Sequence, residues 1–569
     1  MKILLFLFTP LFLFGDAKTN AEFFGFFTLL PPIIAIVLAF LTKDVILSLF
    51  IGSLSGTFML ALVEHNVLTA FVVGFSTFVS KAVNSLADPG NAGIILQMLT
   101  IGGMVALITK TGGAKAVAIW FATKAKKAKS SQLVTWLMGC FIFFDDYANS
   151  FIVGPIMRPL TDKFKVSREK LAFIMDSTAA PIAGLAIIST WIGFELSVIK
   201  SGYDLLSDEQ IGFLQTTREN INAFDVFIQT LPYRFYNIFM LAFVLFTILQ
   251  EREFGPMLRA ERRAKKVESF EDLQSESENL EDKLLEPKDN IKLRSSNAII
   301  PLFILIIFAF VGFYFSGLGN IEDEATLAAI KEAPLGLFAL RETFSSADTA
   351  TVLFQAALLA SVVAIALGVY HKIFSVKEGI VTWTYGWRMM VITVIILMCA
   401  WPLSSAIKDL GTSIYLVDLL SSKTPLYLLP LAVFLLASLV SLSTGTSYGT
   451  MGILMPLTIP LALGIGSFNE LSGLDLHHYM IISISAVLTG AIFGDHCSPI
   501  SDTTILSSMA SKCDLLAHVK TQMPYAIFIC AVSLFAGYLP VALGVSVWLV
   551  LPLNLILIAL LLRFIGKKV

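Results

Sequence analysis

The chain has 569 residues, of which 56% are hydrophobic and only 14% charged, a balance too apolar for a soluble protein of this length and fitting a polytopic membrane protein. The net charge of -2, with no basic patch interleaved with aromatics, argues against nucleic-acid binding. Five cysteines (Cys140, Cys399, Cys497, Cys513, Cys530) lack paired spacing, so neither a disulfide framework nor a zinc site is expected.

Met1 to about Ala17 carries Lys2 ahead of a Leu/Phe run shorter than a bilayer span, which resembles a signal-peptide core with an imperfect cleavage pattern; its removal is left open. Apolar windows and charge bias then predict eleven crossings, near residues 22–41, 45–62, 93–110, 171–198, 229–250, 297–317, 349–370, 389–407, 479–510, 524–545 and 546–566. An odd number from an outside start places the C-terminus, with Arg563, Lys567 and Lys568, in the cytoplasm. The mixed-charge run 251–295 falls on that side and reads as a solvated linker. The expected organisation is N-terminal membrane helices (22–90), a first repeat (91–250), the linker, scaffold helices (296–385), a second repeat (386–545) and a C-terminal helix (546–569).

Between crossings three and four, two basic loops flank an apolar stretch. The first holds Lys124, Lys126, Lys127 and Lys129, the second Arg158, Lys163, Lys165, Arg168 and Lys170. Lys/Arg-rich short loops stay on the cytoplasmic face, so segment 131–157 must enter the membrane and return. Each limb is too short for a full span of about 20 residues. Its tip, Asp145-Asp146-Tyr147-Ala148-Asn149-Ser150, is therefore expected at depth, where carboxylates and irregular backbone mark a functional site.

The second half of the chain repeats this pattern. Tyr147, Pro155 and Pro159 match Tyr448, Pro456 and Pro460 in spacing; Lys110 and Gly113 match Lys408 and Gly411. Asp176-Ser-Thr-Ala-Ala-Pro181-Ile182 aligns on its proline with Gly494-Asp-His-Cys-Ser-Pro499-Ile500, and Ser189 then falls opposite Ser507. Loop 158–170 has five Lys/Arg whereas its counterpart 461–478 has none and holds Glu470 and Asp475, so the two copies should have opposite orientation. Inverted repeats of this kind are characteristic of secondary transporters, with ion and substrate sites near the midplane.

Four polar clusters are expected to meet there: Asp145, Asp146, Asn149 and Ser150; Asp176, Ser177 and Thr178; Ser443, Thr444, Thr446 and Ser447; and Asp495, His496, Ser498, Ser501, Asp502 and Thr503. Pro181 and Pro499 interrupt their helices and free backbone carbonyls. Carbonyls, hydroxyls and carboxylates are what a hard cation such as sodium requires; Asp146, Asn149, Asp176, Thr446 and Asp495 are the expected sodium ligands. A carboxylate that takes either a proton or a cation supplies a mechanism of exchange. His496 is placed to relay a proton. The alternatives are plain: an aspartate can merely cap a helix, and the hydroxyls at 443–450 can bond back to their own backbone. Glu195, the one further acid in a crossing, is expected towards the outer end of its helix in a structural role. No cofactor is implied.

At Phe143-Phe144-Asp145-Asp146-Tyr147-Ala148-Asn149, Arg158-Pro159-Leu160-Thr161-Asp162, Ser167-Arg168-Glu169-Lys170, Asp176 to Pro181 and Gly494 to Thr504, the chain resembles the NhaC-type Na+/H+ antiporter family. That resemblance implies an all-α polytopic protein of the bacterial cytoplasmic (inner) membrane, elevator-like, with two inverted-topology repeats, each contributing a re-entrant hairpin and an interrupted helix. Sodium ions and protons are the implied partners. A homodimer is expected only by analogy. Some members of the family couple ions to malate, lactate or amino acids, which keeps a carrier of a small organic solute as the rival to a Na+/H+ antiporter. An enzyme is not expected: an intramembrane aspartyl protease would need glycine at Ile492 and leaves the repeat unexplained.

Overall fold

The computed structural model describes residues 17–217, 221–266, 287, 291–420 and 423–569. The leader (1–16) and residues 267–286 and 288–290 of the expected linker lie outside them. Among the described residues, ten helices are long and apolar enough to span a bilayer, and an eleventh span is made by Ala223–Tyr233 and Phe235–Gln250, bent by 44° where Pro232 and Arg234 interrupt the run. The fold is a helical membrane protein, ringed by exposed apolar side chains such as Phe71, Phe303, Ile392 and Trp548.

The membership of the spans differs from the sequence reading at five places; at two of them, the expected crossing 45–62 is the 17-residue helix Val45–Ala61, shorter than the ten, and Ser447–Phe468, expected as a hairpin limb, is long and apolar enough to span. Val67–Ala87 is long enough to span but was not anticipated, because Lys81 and its serines and asparagine dilute its apolar signal. Lys81 is accommodated by an ion pair with Asp409 and a hydrogen bond to Ser405 Oγ at 2.7 Å. The expected crossing 171–198 is instead three pieces, Arg168–Ser177, Ala180–Ala183 and Ile192–Tyr203. The expected crossing 479–510 is Gly473–Cys497 followed, after a break at Pro499, by Asp502–Ser511. In both cases the proline lacks the N–H that would continue the ladder.

Two helical hairpins stand beside these broken helices. In the first, Ala128–Phe141 turns through 142–145 into Asp146–Lys163. In the second, Leu428–Thr444 turns into Ser447–Phe468 at Gly445, whose φ of 66° is left-handed and whose Cα packs so closely on Ile500 that an added Cβ would lie 2.7 Å from its carbonyl oxygen. Each hairpin is laced to a broken helix from the other half of the chain. Gly154 packs on Ala510 and Ser150 Oγ meets Ser507 Oγ at 3.2 Å.

The start of the expected linker is not solvated. Arg252–Glu253 pairs antiparallel with Lys567–Lys568, and Gly255–Ala264 forms a helix with Met257, Leu258, Ala260 and Glu261 buried. Fully buried Lys170 holds this segment through Glu253 Oε1 (2.8 Å) and also donates to Thr247 Oγ1 (2.7 Å). Glu253 also meets Tyr525, and Glu261 accepts from the N–H and hydroxyl of Ser167, both at 2.7 Å. A charge run reads as solvated only until its counter-charges, encoded elsewhere, are seen.

Candidate functional site

The tip of the first hairpin is locked by the Thr190 N–H, which donates to Phe144 O at 3.0 Å and so brings the loop before the 192–203 helix onto it. Asp145 (1% exposed) accepts the Asn149 N–H on its backbone oxygen and so stands at the helix start, while Asp146 (3%) occupies the first turn, where the helix dipole favours a negative charge. The Trp191 indole lies beside the Asp146 carboxylate, and Asp146 Oδ1 has no protein partner. Asn149 donates its amide to Gly139 O (2.9 Å) and Thr178 O (2.7 Å), bracing the hairpin against the first helix break. The Thr178 hydroxyl donates to Ile174 O within its own helix.

At the second hairpin, Thr446 caps the returning limb by accepting from Gly449 N, and Ser447 Oγ donates to Ala491 O at 3.3 Å. The Asp495 carboxylate is buried with the Ser447 and Ser501 hydroxyls beside it and one oxygen unpartnered. Ser501 and Thr503 share a hydrogen bond, and Ser498 is fully buried at the break. Ser443 and Thr444 of the expected set donate to Val440 O within their own helix. Asp502 lies at an exposed position and accepts from the Tyr147 hydroxyl at 3.3 Å, which again links the two halves.

Asp176 has a different setting from the one the sequence suggested. Its Oδ2 accepts from Gln522 Nε2 (2.6 Å), Thr504 Oγ1 (3.1 Å) and His518 Nε2 (3.3 Å), with His496 Nε2 at 3.8 Å. His496 meets Tyr236 OH through Nδ1 (2.7 Å) and Ser177 Oγ through Nε2 (3.4 Å). Asp176 is thus the hub of a polar network joining both breaks, and Asp146, Asp176 and Asp495 do not gather into one metal-ligating cluster among the described residues. The physical reason is the pull of His518 and Gln522, one helical turn apart on the same face of Leu515–Ala531, which draw the carboxylate towards themselves.

Several site residues were not anticipated. Arg234, wholly buried at the bend between two helices, makes two hydrogen bonds to Glu195 (3.0 and 2.7 Å) and a third to the carbonyl of Gly184, just past the first break. Glu195 therefore sits in the first turn of its helix near the break, not towards its outer end, and this arginine is already engaged by a carboxylate. Asn237 donates to Pro181 O at 3.0 Å. The available signal was a lone arginine and lone amides inside apolar runs. A pattern unites the amides at the breaks: Asn149, Asn237 and Gln522 each direct their NH2 into carbonyl or carboxylate oxygens and leave their own carbonyl oxygen without a protein partner. With the unpartnered oxygens of Asp146, Asp176 and Asp495, the breaks present acceptors, as a hard cation needs.

A sequence model of the Na+/H+ antiporter family matches residues 210–542, more than half of the chain and all of its second hairpin and broken helix. The chain belongs to the Na+/H+ antiporter family. This antiporter-family chain is 33% identical over 519 residues to an uncharacterized protein of Haemophilus influenzae, covering 91% of each. Over 93 residues it is 39% identical to the malate-2H(+)/Na(+)-lactate antiporter of Bacillus subtilis, a match spanning 16% of this chain and 18% of that one. Its fold is similar to that of MtrF of Neisseria gonorrhoeae, of a class of antimetabolite efflux pumps, at a TM-score of 0.50 and 11% identity over 93% of this chain and 98% of the other. The protein is a multi-pass membrane transporter.

Proposed function

We propose that the protein is a Na+/H+ antiporter that works by alternating access, with its site at the two hairpin tips and two helix breaks of an inverted pair of repeats. The observation that carries this reading is that Asp146 and Asp495, one from each half, are buried and each keeps one carboxylate oxygen unpartnered. A desolvated carboxylate needs a positive partner, and sodium and a proton are alternative partners for the same oxygens. The Asp176, His496 and His518 network lies next to this site and is placed to accept the proton that sodium displaces.

In the test, Asp146→Asn and Asp495→Asn are each expected to reach the membrane and to abolish sodium-coupled proton movement, since each loses a cation ligand and a proton site together. Coupling retained in both would reduce these residues to helix caps. A coupled organic solute is the second reading, which the name of the Bacillus relative supports.

A further inference from the structure

Residues 184–191, between the Ala180–Ala183 and Ile192–Tyr203 helices, carry the contacts that place the first carboxylate. The Thr190 N–H holds the hairpin tip at Phe144 O, and the next residue, Trp191, lies beside Asp146. Within the stretch, the Ser189 hydroxyl donates to Ala183 O at 2.9 Å and accepts the Trp191 N–H at 3.2 Å. The stretch is not helical. Backbone outside a regular ladder keeps its conformational freedom unless other contacts remove it, so where Trp191 sits depends on what holds the two ends.

Arg234 holds both ends at once. It donates to Gly184 O where the stretch begins, and through Nη1 and Nη2 to the two Glu195 oxygens (3.0 and 2.7 Å) in the first helical turn beyond it. Nε and Nη2 also reach Thr230 Oγ1, at 3.2 and 3.1 Å, so every N–H donor of the fork has an acceptor. The guanidinium is fully buried and lies over the Phe227 ring, 4.8 Å from its centroid. A pair that only neutralised buried charge would not need this geometry. Any cation opposite Glu195 would serve, as would removal of both charges, whereas joining two elements at fixed separation needs the planar fork that an ammonium lacks.

We propose that Arg234 is a positioning residue for the Asp146 carboxylate, a clasp of fixed length across residues 184–191 that sets Thr190 on the hairpin tip and Trp191 against Asp146. This rests on the reading of Asp146 as an ion-binding group. Arg234 touches neither ion and acts through the stretch that it closes.

The experiment uses the full chain and two variants that keep the buried charges balanced: Arg234→Lys, and Arg234→Met together with Glu195→Leu. In proteoliposomes the sodium-driven change in lumenal pH is titrated with sodium, and amide hydrogen exchange across residues 184–191 is followed on the same purified proteins. Both variants raise the half-saturating sodium concentration about tenfold or more, while the rate at saturating sodium stays within about threefold of wild type, because the carboxylate is misplaced and not lost. Exchange across 184–191 becomes faster in both. A merely structural pair would be satisfied by the double variant, leaving half-saturation where wild type has it. Half-saturation within about twofold of wild type in the double variant overturns the proposal, as does unchanged exchange across 184–191 in both variants. A wild type in which sodium moves no protons overturns the antiporter reading instead, and faster exchange in the variants then still supports the clasp.

Discussion

Arg234 and Glu195 form an ion pair with no solvent access on either side chain. Removing one member of such a pair strands the other charge in an apolar surround, which costs about 3–5 kcal/mol, while replacing both with apolar side chains of similar size is often neutral. Arg234→Met should therefore lower the melting temperature and the yield of monodisperse protein sharply, and Arg234→Met with Glu195→Leu should recover most of the loss. A double variant no better than the single one would mean that the hydrogen bond to Gly184 O, not the charge pair, holds the bend. At this scale the sequence was readable where a residue violates its surroundings in an obvious way: adjacent aspartates in an apolar run mark a tip at depth. Asn237, His518 and Gln522 were not readable, because their partners lie far away along the chain, His518 and Asp176 being 342 positions apart. Ser443 and Thr444 read as ligands from composition alone, yet a helical hydroxyl has an acceptor one turn back whether or not a ligand exists.

Among the elements, Arg252–Ala264 shows how charge patterning misleads. Its acids face inward because Lys170, Ser167 and Tyr525 come from other segments to meet them. Burial, and secondarily the neighbouring Glu253 carboxylate, push Glu261 up from its ordinary 4.5 to about 7, against the opposing influence of Ser167 and Lys170. The docked helix thus binds a proton more tightly than the undocked one, so its docking is most stable below about 4.5 and loses that contribution as pH rises through about 7. Amide hydrogen exchange of residues 255–264, corrected for intrinsic rates, should be faster at about pH 8 than at about pH 6, and Glu261→Gln should remove the difference. Equal protection at both pH values in wild type would show that Glu261 does not titrate in place. Helix breaks at Pro181 and Pro499 were legible from the proline, but the extent of each broken piece was not, since tertiary contacts decide where a free end finds its partners.

For the whole molecule, composition already dictated a helical membrane protein, and periodic windows located most of its spans. Val67–Ala87 escaped because Lys81 together with its serines, threonines and asparagine brings its mean hydropathy to 1.4, the lowest of the ten spans. The inverted arrangement is tested by single cysteines in a background lacking the native five. Ala128→Cys and Phe164→Cys should be labelled from one face, and Glu470→Cys from the other, since the basic loops and the acidic loop have opposite charge bias. Labelling of 128 and 164 from opposite faces would turn the first hairpin into a full crossing. The central claim, that sodium and protons compete for the same buried carboxylates, is tested most directly in proteoliposomes given a sodium gradient and no organic solute, with lumenal pH as the readout. Sodium leaving the lumen should draw protons in and acidify it, the half-saturating sodium concentration should rise as pH falls, and Asp146→Asn should abolish the signal; a pH trace that stays silent until a solute is added would contradict the account.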